Sequence, residues 1–259
     1  MVLSTEGNLP CIYPDWDAPS NVRALTTTRL GGVSKAPYAA LNVGDHVGDG
    51  EQFVLENRQL LMRFIKVDNR ANTINLEPIW LRQEHTDKII GDAGIESKDY
   101  LKNAYDGSIT SKKGVVCAAM TADCLPVFIC DQAGQQVAMV HAGWRGLASG
   151  IVEKAMHLFE SPLTQLNVHC GPAISQRHFE VGWEVKAQLG GSDHFYIASA
   201  ENADKCYADL AGLLGERVER LGANYSSSKQ CTFDQKDHFF SYRRDGVTGR
   251  MVSLIWMNP

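Results

Sequence analysis

Three apolar runs lie close together in the middle of the chain, and they constrain its fold more than any other feature. The runs cover residues 115–120, 125–130 and 136–140, and valine and isoleucine recur in them. Short, dense apolar segments bounded by polar or glycine-containing sequence are typical of strands at the centre of a sheet. The sequence therefore predicts buried central strands here.

The rest of the chain mixes strand and helix patterns without strict alternation. Strands are predicted at residues 22–28, 78–82, 87–90, 168–170, 239–242 and 251–256. Helices are predicted at residues 49–65, 147–159 and 207–221, where apolar side chains recur on one face. This mixture favours an α+β or layered α/β plan, and we predict the α+β class.

Length and composition are those of an ordinary globular protein. The 259 residues suffice for one large domain or two small ones. No repeat, low-complexity tract or convincing linker divides the chain, so we predict a single domain over residues 1–259. With 25 basic and 30 acidic residues the net charge is −5, and no basic tract stands out. Nucleic acid is therefore not an expected partner.

The location of the protein follows from weaker signals. No apolar run reaches the roughly 18 residues that a membrane-spanning helix needs, and the stretch Met1–Pro10 lacks the features of a secretory signal. The seven cysteines are odd in number and scattered, and no Cys-x-x-Cys pair occurs. These patterns argue against disulfides and predict a cytoplasmic protein without a membrane partner.

Two histidines and one cysteine form the strongest candidate for a chemical site. They are His85 in Trp80-Leu-Arg-Gln-Glu-His85, Cys124 in Thr121-Ala-Asp-Cys124, and His141 before Ala-Gly-Trp-Arg-Gly146. Each lies where a strand-like run gives way to polar or glycine-rich sequence. Two imidazoles and a thiolate suit zinc, and three protein ligands leave the fourth position open, as in catalytic zinc sites.

Each of the three residues also has an ordinary structural interpretation. Cys124 could be a small buried hydrophobe, as Cys117 and Cys130 are expected to be. Single histidines are more often structural than ligands, and the other six are interpreted as structural or exposed. Among those six, the interpretation of His46 is the least secure, because it follows the motif Leu41-Asn-Val-Gly44.

Several arginines lie in glycine-rich turns, which suit a small anion. Arg145 lies within Gly143-Trp-Arg-Gly146, and Arg29 precedes Gly31 and Gly32. Glycine lets a backbone approach a ligand closely, and arginine offers a planar fork to phosphate or carboxylate. Either arginine could instead brace its own loop. Arg243 and Arg244 would alternate if they continue as a strand, so only one of them should face a site, and we favour Arg243.

Three carboxylates complete the candidate residues. Glu180 precedes Val181 and Gly182 and could be a general acid or base, or a charge at a helix N-terminus. Asp106 and Asp123 are predicted to orient the metal ligands, because metal-bound histidines commonly need such partners.

Several of these motifs together resemble the YfiH-type laccase-domain family, also called polyphenol oxidase or peptidoglycan editing factor. The resemblance runs from about residue 22 to the C-terminus. Its motifs are Thr27-Thr-Arg29-Leu-Gly-Gly-Val-Ser34, Leu41-Asn-Val-Gly44, Val115–Pro126, His141–Gly146, Phe179-Glu-Val-Gly182 and Ser241–Gly246. One local departure is that Glu84 and Thr86 flank the first histidine, where the family has a small apolar residue and a glycine.

The resemblance implies a layered sandwich of mixed β-sheets flanked by helices. The resemblance strengthens the prediction that His85, Cys124 and His141 bind one metal ion, zinc or alternatively copper. It also implies that Cys124 takes part in catalysis. Asn42 joins Arg29, Arg145 and Arg243 as a predicted substrate-binding residue. The family has been linked to polyphenol oxidation, purine nucleoside phosphorolysis, adenosine deamination and peptidoglycan editing.

Chemistry favours one of these activities. Zinc has no redox chemistry, and arginines near glycine-rich turns suit phosphate. We therefore predict a zinc-dependent purine nucleoside phosphorylase, acting on adenosine, inosine and methylthioadenosine, with adenosine deaminase activity. Its partners would be the nucleoside and phosphate, and it would be a monomer or homodimer.

Three alternatives stay open at this point. The first is a cysteine hydrolase that acts on peptidoglycan precursors, with Cys124 as nucleophile and His141 as base. The second is a copper-dependent polyphenol oxidase, although none of the eight histidines forms the His-x-His pair of multicopper enzymes. The third is a binding module whose metal is structural.

Overall fold

The computed structural model describes residues 3–4, 9–68 and 76–258. Within these residues the strands are β1 (Leu3–Ser4), β2 (Cys11–Ile12), β3 (Val22–Thr27), β4 (Pro78–Ile79), β5 (Ile89–Ile90), β6 (Gly107–Thr110), β7 (Val116–Thr121), β8 (Leu125–Asp131), β9 (Val137–Ala142), β10 (Leu166–Cys170), β11 (Glu180–Gly182), β12 (Tyr196–Ala198), β13 (Lys205–Ala208), β14 (Asn224–Ser227) and β15 (Met251–Met257). The helices are α1 (Glu51–Asp68), α2 (Asp92–Glu96), α3 (Trp144–Ala148), α4 (Ile151–His157), α5 (Trp183–Leu189), α6 (Leu210–Arg220) and α7 (Tyr242–Asp245).

The strands form two six-stranded sheets and one three-stranded sheet. The first sheet has the order β1-β2-β3-β15-β7-β4, the second has the order β14-β10-β8-β9-β6-β5, and the third has the order β11-β13-β12. Most pairings are antiparallel, whereas β4 with β7, β5 with β6 and β10 with β14 are parallel. The two large sheets are therefore mixed.

The two large sheets pack face to face. Phe128 and Met139 of the second sheet meet Ile255 and Met257 of the first in one buried apolar cluster. Helix α1 covers the outer face of the first sheet, where Leu61 and other apolar residues of the helix join its core. Helices α4, α5 and α6 pack against the outer face of the second sheet. The predicted layered α+β sandwich is confirmed.

The three central runs form the strands predicted for them. Every residue of β7, β8 and β9 is buried, as expected for strands covered on both faces. The predictions of a strand at 22–28, of a helix at 49–65 and of a strand at 251–256 are also confirmed, with small shifts at the ends.

Two predicted helices differ in the structure. The helix expected at 147–159 is divided into α3 and α4, because Gly150 lies between them with a φ of 75°, which a continuous helix cannot contain. The helix expected at 207–221 begins only at Leu210, after strand β13. Asp209 sets this boundary, since its side chain accepts a hydrogen bond from the backbone N–H of Gly212.

The strand predicted at 239–242 is wrong. Phe239 and Phe240 are buried in an irregular segment, and the chain then forms the short helix α7. The Ser241 hydroxyl caps this helix by accepting from the backbone N–H of Arg244. Arg243 and Arg244 therefore do not alternate on a strand. The strands at 78–82 and 87–90 are shortened to two residues each.

Two remaining observations concern the ends of the chain and its helices. Most of the stretch Met1–Pro10, for which the sequence predicts no secretory signal, lies outside the described residues. Of the helices that the described residues form, none is both long and apolar enough to span a membrane.

Candidate functional site

Three loops and strand ends bring His85, Cys124 and His141 together. His85 lies between β4 and β5, Cys124 lies between β7 and β8, and His141 is the penultimate residue of β9. Their ligand atoms all lie within 4.8 Å of one another. Nε2 of His85 is 3.7 Å from Sγ of Cys124, and the two imidazole centroids are 4.8 Å apart.

The burial of these three residues is graded. His141 is buried, Cys124 is partly exposed and His85 is exposed. One side of the group is therefore protein and the other faces solvent. A ligand bound by the three side chains would keep access to water or substrate.

Asp106 holds the His85 loop and His141 in one arrangement. The backbone N–H groups of residues 84, 85 and 86 donate to its carboxylate over 3.2, 3.1 and 2.6 Å. The Thr86 hydroxyl donates to the same carboxylate over 2.8 Å. Nδ1 of His141 lies 2.7 Å from the carboxylate, and a proton on this nitrogen satisfies the pair. Nε2 of His141 is then the nitrogen that can give up its proton to bind a metal.

Gly143 leaves the space that the group needs. A Cβ atom at this position would lie 2.5 Å from Cδ2 of His85 and 3.1 Å from Sγ of Cys124. Its φ of −67° is accessible to any residue, so glycine is required here for space and not for conformation. Any side chain at position 143 would displace the ligands.

Asp123 shapes the turn that presents Cys124. Its φ is 101°, which is strained for a residue other than glycine. The carboxylate accepts from the Thr232 hydroxyl over 2.6 Å and from the backbone N–H of Arg243 over 2.7 Å. Asp123 therefore anchors the loop beside Cys124. Of the two carboxylates predicted to orient the ligands, only Asp106 hydrogen-bonds the side chain of a candidate ligand among the described residues.

The electrostatics of the group favour a thiolate. Burial raises the pKa of Cys124, but the adjacent charge and hydrogen bonds of His141 and His85 outweigh burial and lower it to about 6. Burial lowers the pKa of His141, but Cys124 and Asp106 outweigh it and raise the pKa to about 9. A thiolate next to imidazoles is the form that a soft cation binds in exchange for protons.

The donor set fits zinc. Two imidazole nitrogens and one thiolate sulfur are preferred zinc ligands, and their spacing is close to what bond lengths of about 2.0–2.3 Å require. The glycine clearance and the oriented His141 ring also fit. The same donors accept copper, because divalent copper binds nitrogen and sulfur sites more tightly than zinc does.

Two of the predicted substrate-binding residues are already occupied by protein groups. The Arg29 side chain donates to the carbonyl oxygens of Ala39 and Lys236 over 2.9 and 3.0 Å. The Asn42 side chain is fully buried, with its oxygen accepting from two backbone N–H groups and its nitrogen donating to Gly44 O and Asp49. This geometry gives Asn42 a structural role and leaves no free group for a substrate.

Arg145 and Arg243 are placed differently from each other. The exposed Arg145 guanidinium lies over the Trp144 ring at 4.3 Å and has no hydrogen-bond partner among the described residues. Arg243 donates from Nη1 to the carbonyl oxygen of Glu180 over 2.8 Å and lies over the Phe179 ring. Arg145 therefore offers its whole fork to a ligand, whereas one arm of Arg243 is engaged.

Glu180 lies in an ion pair and not with the three candidate ligands. Its carboxylate accepts from Nζ of Lys205 over 2.9 Å and from the Ser199 hydroxyl over 3.0 Å. These hydrogen bonds lower its pKa below the usual value. A carboxylate in this state does not carry a proton near neutral pH, so the geometry does not favour Glu180 as a general acid.

A cationic group near the site was missed by sequence reasoning. Burial lowers the pKa of Arg250, while the negative charges of Cys124 and Asp123 act in the opposite direction, which places this guanidinium within electrostatic reach of the site. His46, whose pKa is lowered by burial and then by Arg250, lies on the same side. The signal available in the sequence was Gly249 next to Arg250, because a glycine lets the backbone and the neighbouring arginine approach a site closely.

A groove adjoins the loop that carries His85. Its volume is about 580 Å³, and it is lined by Asp45, His46, Arg58, Trp80, Tyr100 and Met120, among others. The Arg58 guanidinium lies 4.1 Å above the Trp80 ring and 3.1 Å from the Asp45 carboxylate. The groove combines aromatic and cationic groups, which suit a planar, polar ligand.

Comparisons with known proteins agree on one family. A family model described as "Multi-copper polyphenol oxidoreductase laccase" matches residues 23–258. The chain is 40% identical over 248 residues to the purine nucleoside phosphorylase YfiH of Escherichia coli, with 95% of this chain and 98% of that protein covered. It is also 40% identical over 259 residues to a purine nucleoside phosphorylase of Pseudomonas aeruginosa, with coverage of 95% and 98%.

Solved structures share the fold. A Neisseria meningitidis protein superposes with a TM-score of 0.84 at 37% identity, covering 96% of this chain and 99% of that one. YlmD from Geobacillus stearothermophilus superposes with a TM-score of 0.83 at 28% identity, covering 96% of this chain and 100% of that one.

Replacing Asp106 tests its role in orienting the ligands. Asp106→Asn keeps the shape of the side chain but removes the charge and weakens its acceptance from His141 and the 84–86 loop. We expect zinc affinity to fall by about 10–100-fold, measured by competition with a chromophoric chelator. Asp99→Asn, a change at a carboxylate bonded to Asn103 and Tyr105, is the matched control and leaves the affinity unchanged. Unchanged zinc affinity in Asp106→Asn would contradict the orienting role.

The lowered pKa predicts selective alkylation of Cys124. In metal-free protein, iodoacetamide should react with Cys124 at a rate that rises as the pH passes upward through about 6, because the thiolate is the nucleophile. The other six cysteines are buried, and burial raises the pKa of Cys117, Cys130 and Cys170 to about 12. Mass spectrometry of peptides gives the rate at each site. A Cys124 rate that rises only near pH 9 is the opposing result.

Proposed function

The chain belongs to the multi-copper polyphenol oxidoreductase laccase family, and from that premise we propose that it is a zinc-dependent purine nucleoside phosphorylase with adenosine deaminase activity. The observation that carries the proposal is the graded burial of His85, Cys124 and His141, which leaves one side of a zinc-type donor set facing solvent. A structural zinc is enclosed by four protein ligands, whereas a catalytic one keeps a position open. The names of the relatives supply the reaction class.

The residues that would hold zinc are His85, Cys124 and His141, and bound zinc would supply Lewis acidity next to the substrate. Asp106 keeps the His141 ring in place and its Nδ1 protonated. Gly143 keeps the approach clear of side chains. The loop around His85 would admit water or substrate from the exposed side.

Phosphorolysis needs an anion placed against the anomeric carbon of the ribose. A phosphate oxygen forms a bond to that carbon, the bond to the purine nitrogen breaks, and its electron pair leaves with the base. Arg145 supports this step because its guanidinium is exposed and makes no hydrogen bond within the part of the chain that the structure describes. Arg243 and Arg29 would contribute charge from positions already fixed by backbone carbonyls. Arginine forks match phosphate oxygens in pairs.

The nucleoside base would lie in the groove beside His85. Trp80 and Tyr100 line this groove and offer apolar rings to a purine. Adenosine, inosine and methylthioadenosine share the purine and the ribose and differ in small substituents, so one groove can accept all three. Deamination of adenosine at the same site needs water in place of phosphate.

A cysteine hydrolase acting on peptidoglycan precursors is a second candidate, and one observation favours it. Cys124, His141 and Asp106 form a connected thiolate, imidazole and carboxylate series in which Asp106 lies 2.7 Å from Nδ1 of His141. In such an enzyme the thiolate attacks an amide carbonyl, the C–N bond breaks, and His141 gives a proton to the leaving amine. Water then releases the acyl group from sulfur.

Metal content and activity together decide between the candidates. Protein purified without added metal should contain about one tightly bound zinc per chain, and it should release base from adenosine only when phosphate is present. Cys124→Ala should lose both properties, whereas Cys206→Ala, a matched change at a buried cysteine of β13, keeps both. Tight zinc retained in Cys124→Ala would overturn the metal site. Phosphate-independent amide hydrolysis by metal-free protein would favour the hydrolase.

Copper loading tests the oxidase alternative. Only two of the eight histidines, His85 and His141, belong to the candidate metal site with Cys124, whereas a multicopper cluster needs many imidazoles at paired spacing. Efficient phenol oxidation by the zinc form would contradict the proposal.

The phosphate role of Arg145 is separable from its effect on the loop. Arg145→Ala should raise the apparent KM for phosphate by about 10-fold or more, because hydrogen bonds to charged groups are worth ~1.5–3 kcal/mol. Deamination should change less, since it uses no phosphate. Arg220→Ala, at an exposed arginine paired with Glu216, is the control. Equal loss of both activities would mean that Arg145 only holds its loop.

A further inference from the structure

A second group of metal-binding side chains lies apart from the one described above. His178 ends a 3₁₀ turn after β10, and Cys231 and Asp234 lie in the irregular segment after β14. One ligand atom from each of the three side chains lies within 4.8 Å of the others. Neither the proposed reaction nor the candidate ligands His85, Cys124 and His141 involve this group.

The Cys231 thiol is set in a polar pocket of backbone and side-chain donors. Cys231 is 6% exposed. Its sulfur accepts from the Ser175 hydroxyl over 3.0 Å and from the Ser175 backbone N–H over 3.4 Å. These two hydrogen bonds fix the position of the sulfur, and cysteine sulfur is one of the ligands that zinc prefers.

The other two ligands are held in position and reachable from solvent. The His178 ring stacks on Phe233 with centroids 4.1 Å apart and planes 14° from parallel. Its Nε2 lies 2.6 Å from Oδ1 of Asp234, and Arg177 pairs with the other carboxylate oxygen. The side chains of His178 and Asp234 are 23% and 30% exposed, so solvent reaches both of them.

We propose that His178, Cys231 and Asp234 form a second, exchangeable binding site for a divalent metal ion, which added zinc fills and which is empty in protein purified without added metal. Imidazole, thiolate and carboxylate are the three ligand types that zinc uses in proteins, at bond lengths of about 2.0–2.3 Å. A tetrahedral ion with these bond lengths holds its ligand atoms about 3.5 Å apart, which is close to the spacing of at most 4.8 Å in this group.

The segment that carries this second site also supports the first. Thr232, next to Cys231, donates its hydroxyl proton to Asp123, and Asp123 in turn accepts from the backbone N–H of Arg243. The guanidinium of Arg244 donates to the carbonyl oxygens of Thr232 and Phe233 over 2.8 Å each. An ion at the second site therefore fixes the platform beside Cys124 without contacting the reacting atoms.

Cobalt titration of a Cys124→Ala protein tests the proposal in isolation from the first site. Thiolate-bound Co²⁺ gives a charge-transfer absorption that carboxylate or imidazole ligands alone do not give. We expect this band to appear in Cys124→Ala and to saturate at one Co²⁺ per chain. Addition of Cys231→Ala should abolish the band, whereas addition of Cys206→Ala, a matched change at another buried cysteine, should leave it. No band in Cys124→Ala, or a band that survives Cys231→Ala, would overturn the site.

Two further variants guard against loss of folding at the buried cysteine. Asp234→Asn and His178→Gln change partly exposed side chains, and each should weaken Co²⁺ binding in the Cys124→Ala background by about 10-fold or more. Zinc should also raise the Tm of Cys124→Ala, because an ion that binds only the folded chain stabilises it. Asp234→Asn should remove this rise. Because the Cys124→Ala protein lacks the first site, these results do not depend on the proposed phosphorylase activity.

Discussion

A single buried carboxylate, that of Asp106, is the interaction on which the arrangement of the first site depends. It receives three backbone N–H groups from the loop of His85 and the Nδ1 side of His141, so two of the three candidate ligands are positioned by one group. A buried charge is tolerated only when its hydrogen bonds are complete, and here they are supplied by the segments that need fixing. The loop and the strand are thereby held at one relative position.

The β-sandwich brings together the strand ends that carry Cys124 and His141. Strands β7, β8 and β9 are buried throughout, and their ends deliver Cys124 and His141 to the same edge. Asp123 and Gly143 then complete the local geometry, one by holding a strained turn and the other by leaving space. The layers fix the distances between the strand ends, and the short loops fix the directions in which the candidate ligands point. The second group at Cys231 is linked to the same turn through the hydrogen bond of Thr232 to Asp123.

Apolar patterns in the sequence predicted individual elements, the family resemblance implied the layers, and local hydrogen bonds escaped prediction. The central apolar runs indicated buried strands, and helix α1 followed from its spacing of apolar residues. The prediction of a strand at 239–242 was wrong because two adjacent buried aromatic residues, Phe239 and Phe240, are typical of a strand. The Ser241 cap instead starts helix α7 at the next residue. Whether an arginine braces a loop or faces a ligand depends on nearby carbonyl oxygens. Arg29 and Arg145 look alike in sequence, but among the described residues only the Arg29 side chain donates hydrogen bonds to carbonyl oxygens, whereas that of Arg145 lies over the Trp144 ring.

The three candidate ligands come from separate segments, and His141 is the last of them along the chain. His141 reaches its place only when β9 pairs with β8, which sets Pro126 opposite it. Before that pairing the donors are scattered, and bringing them together carries the full entropy cost of closing the intervening loops. An ion at the proposed site therefore depends on the pairing of β8 with β9, because that pairing brings the donors together. Metal content would accordingly report on the integrity of the central sheet as well as on the ligands themselves.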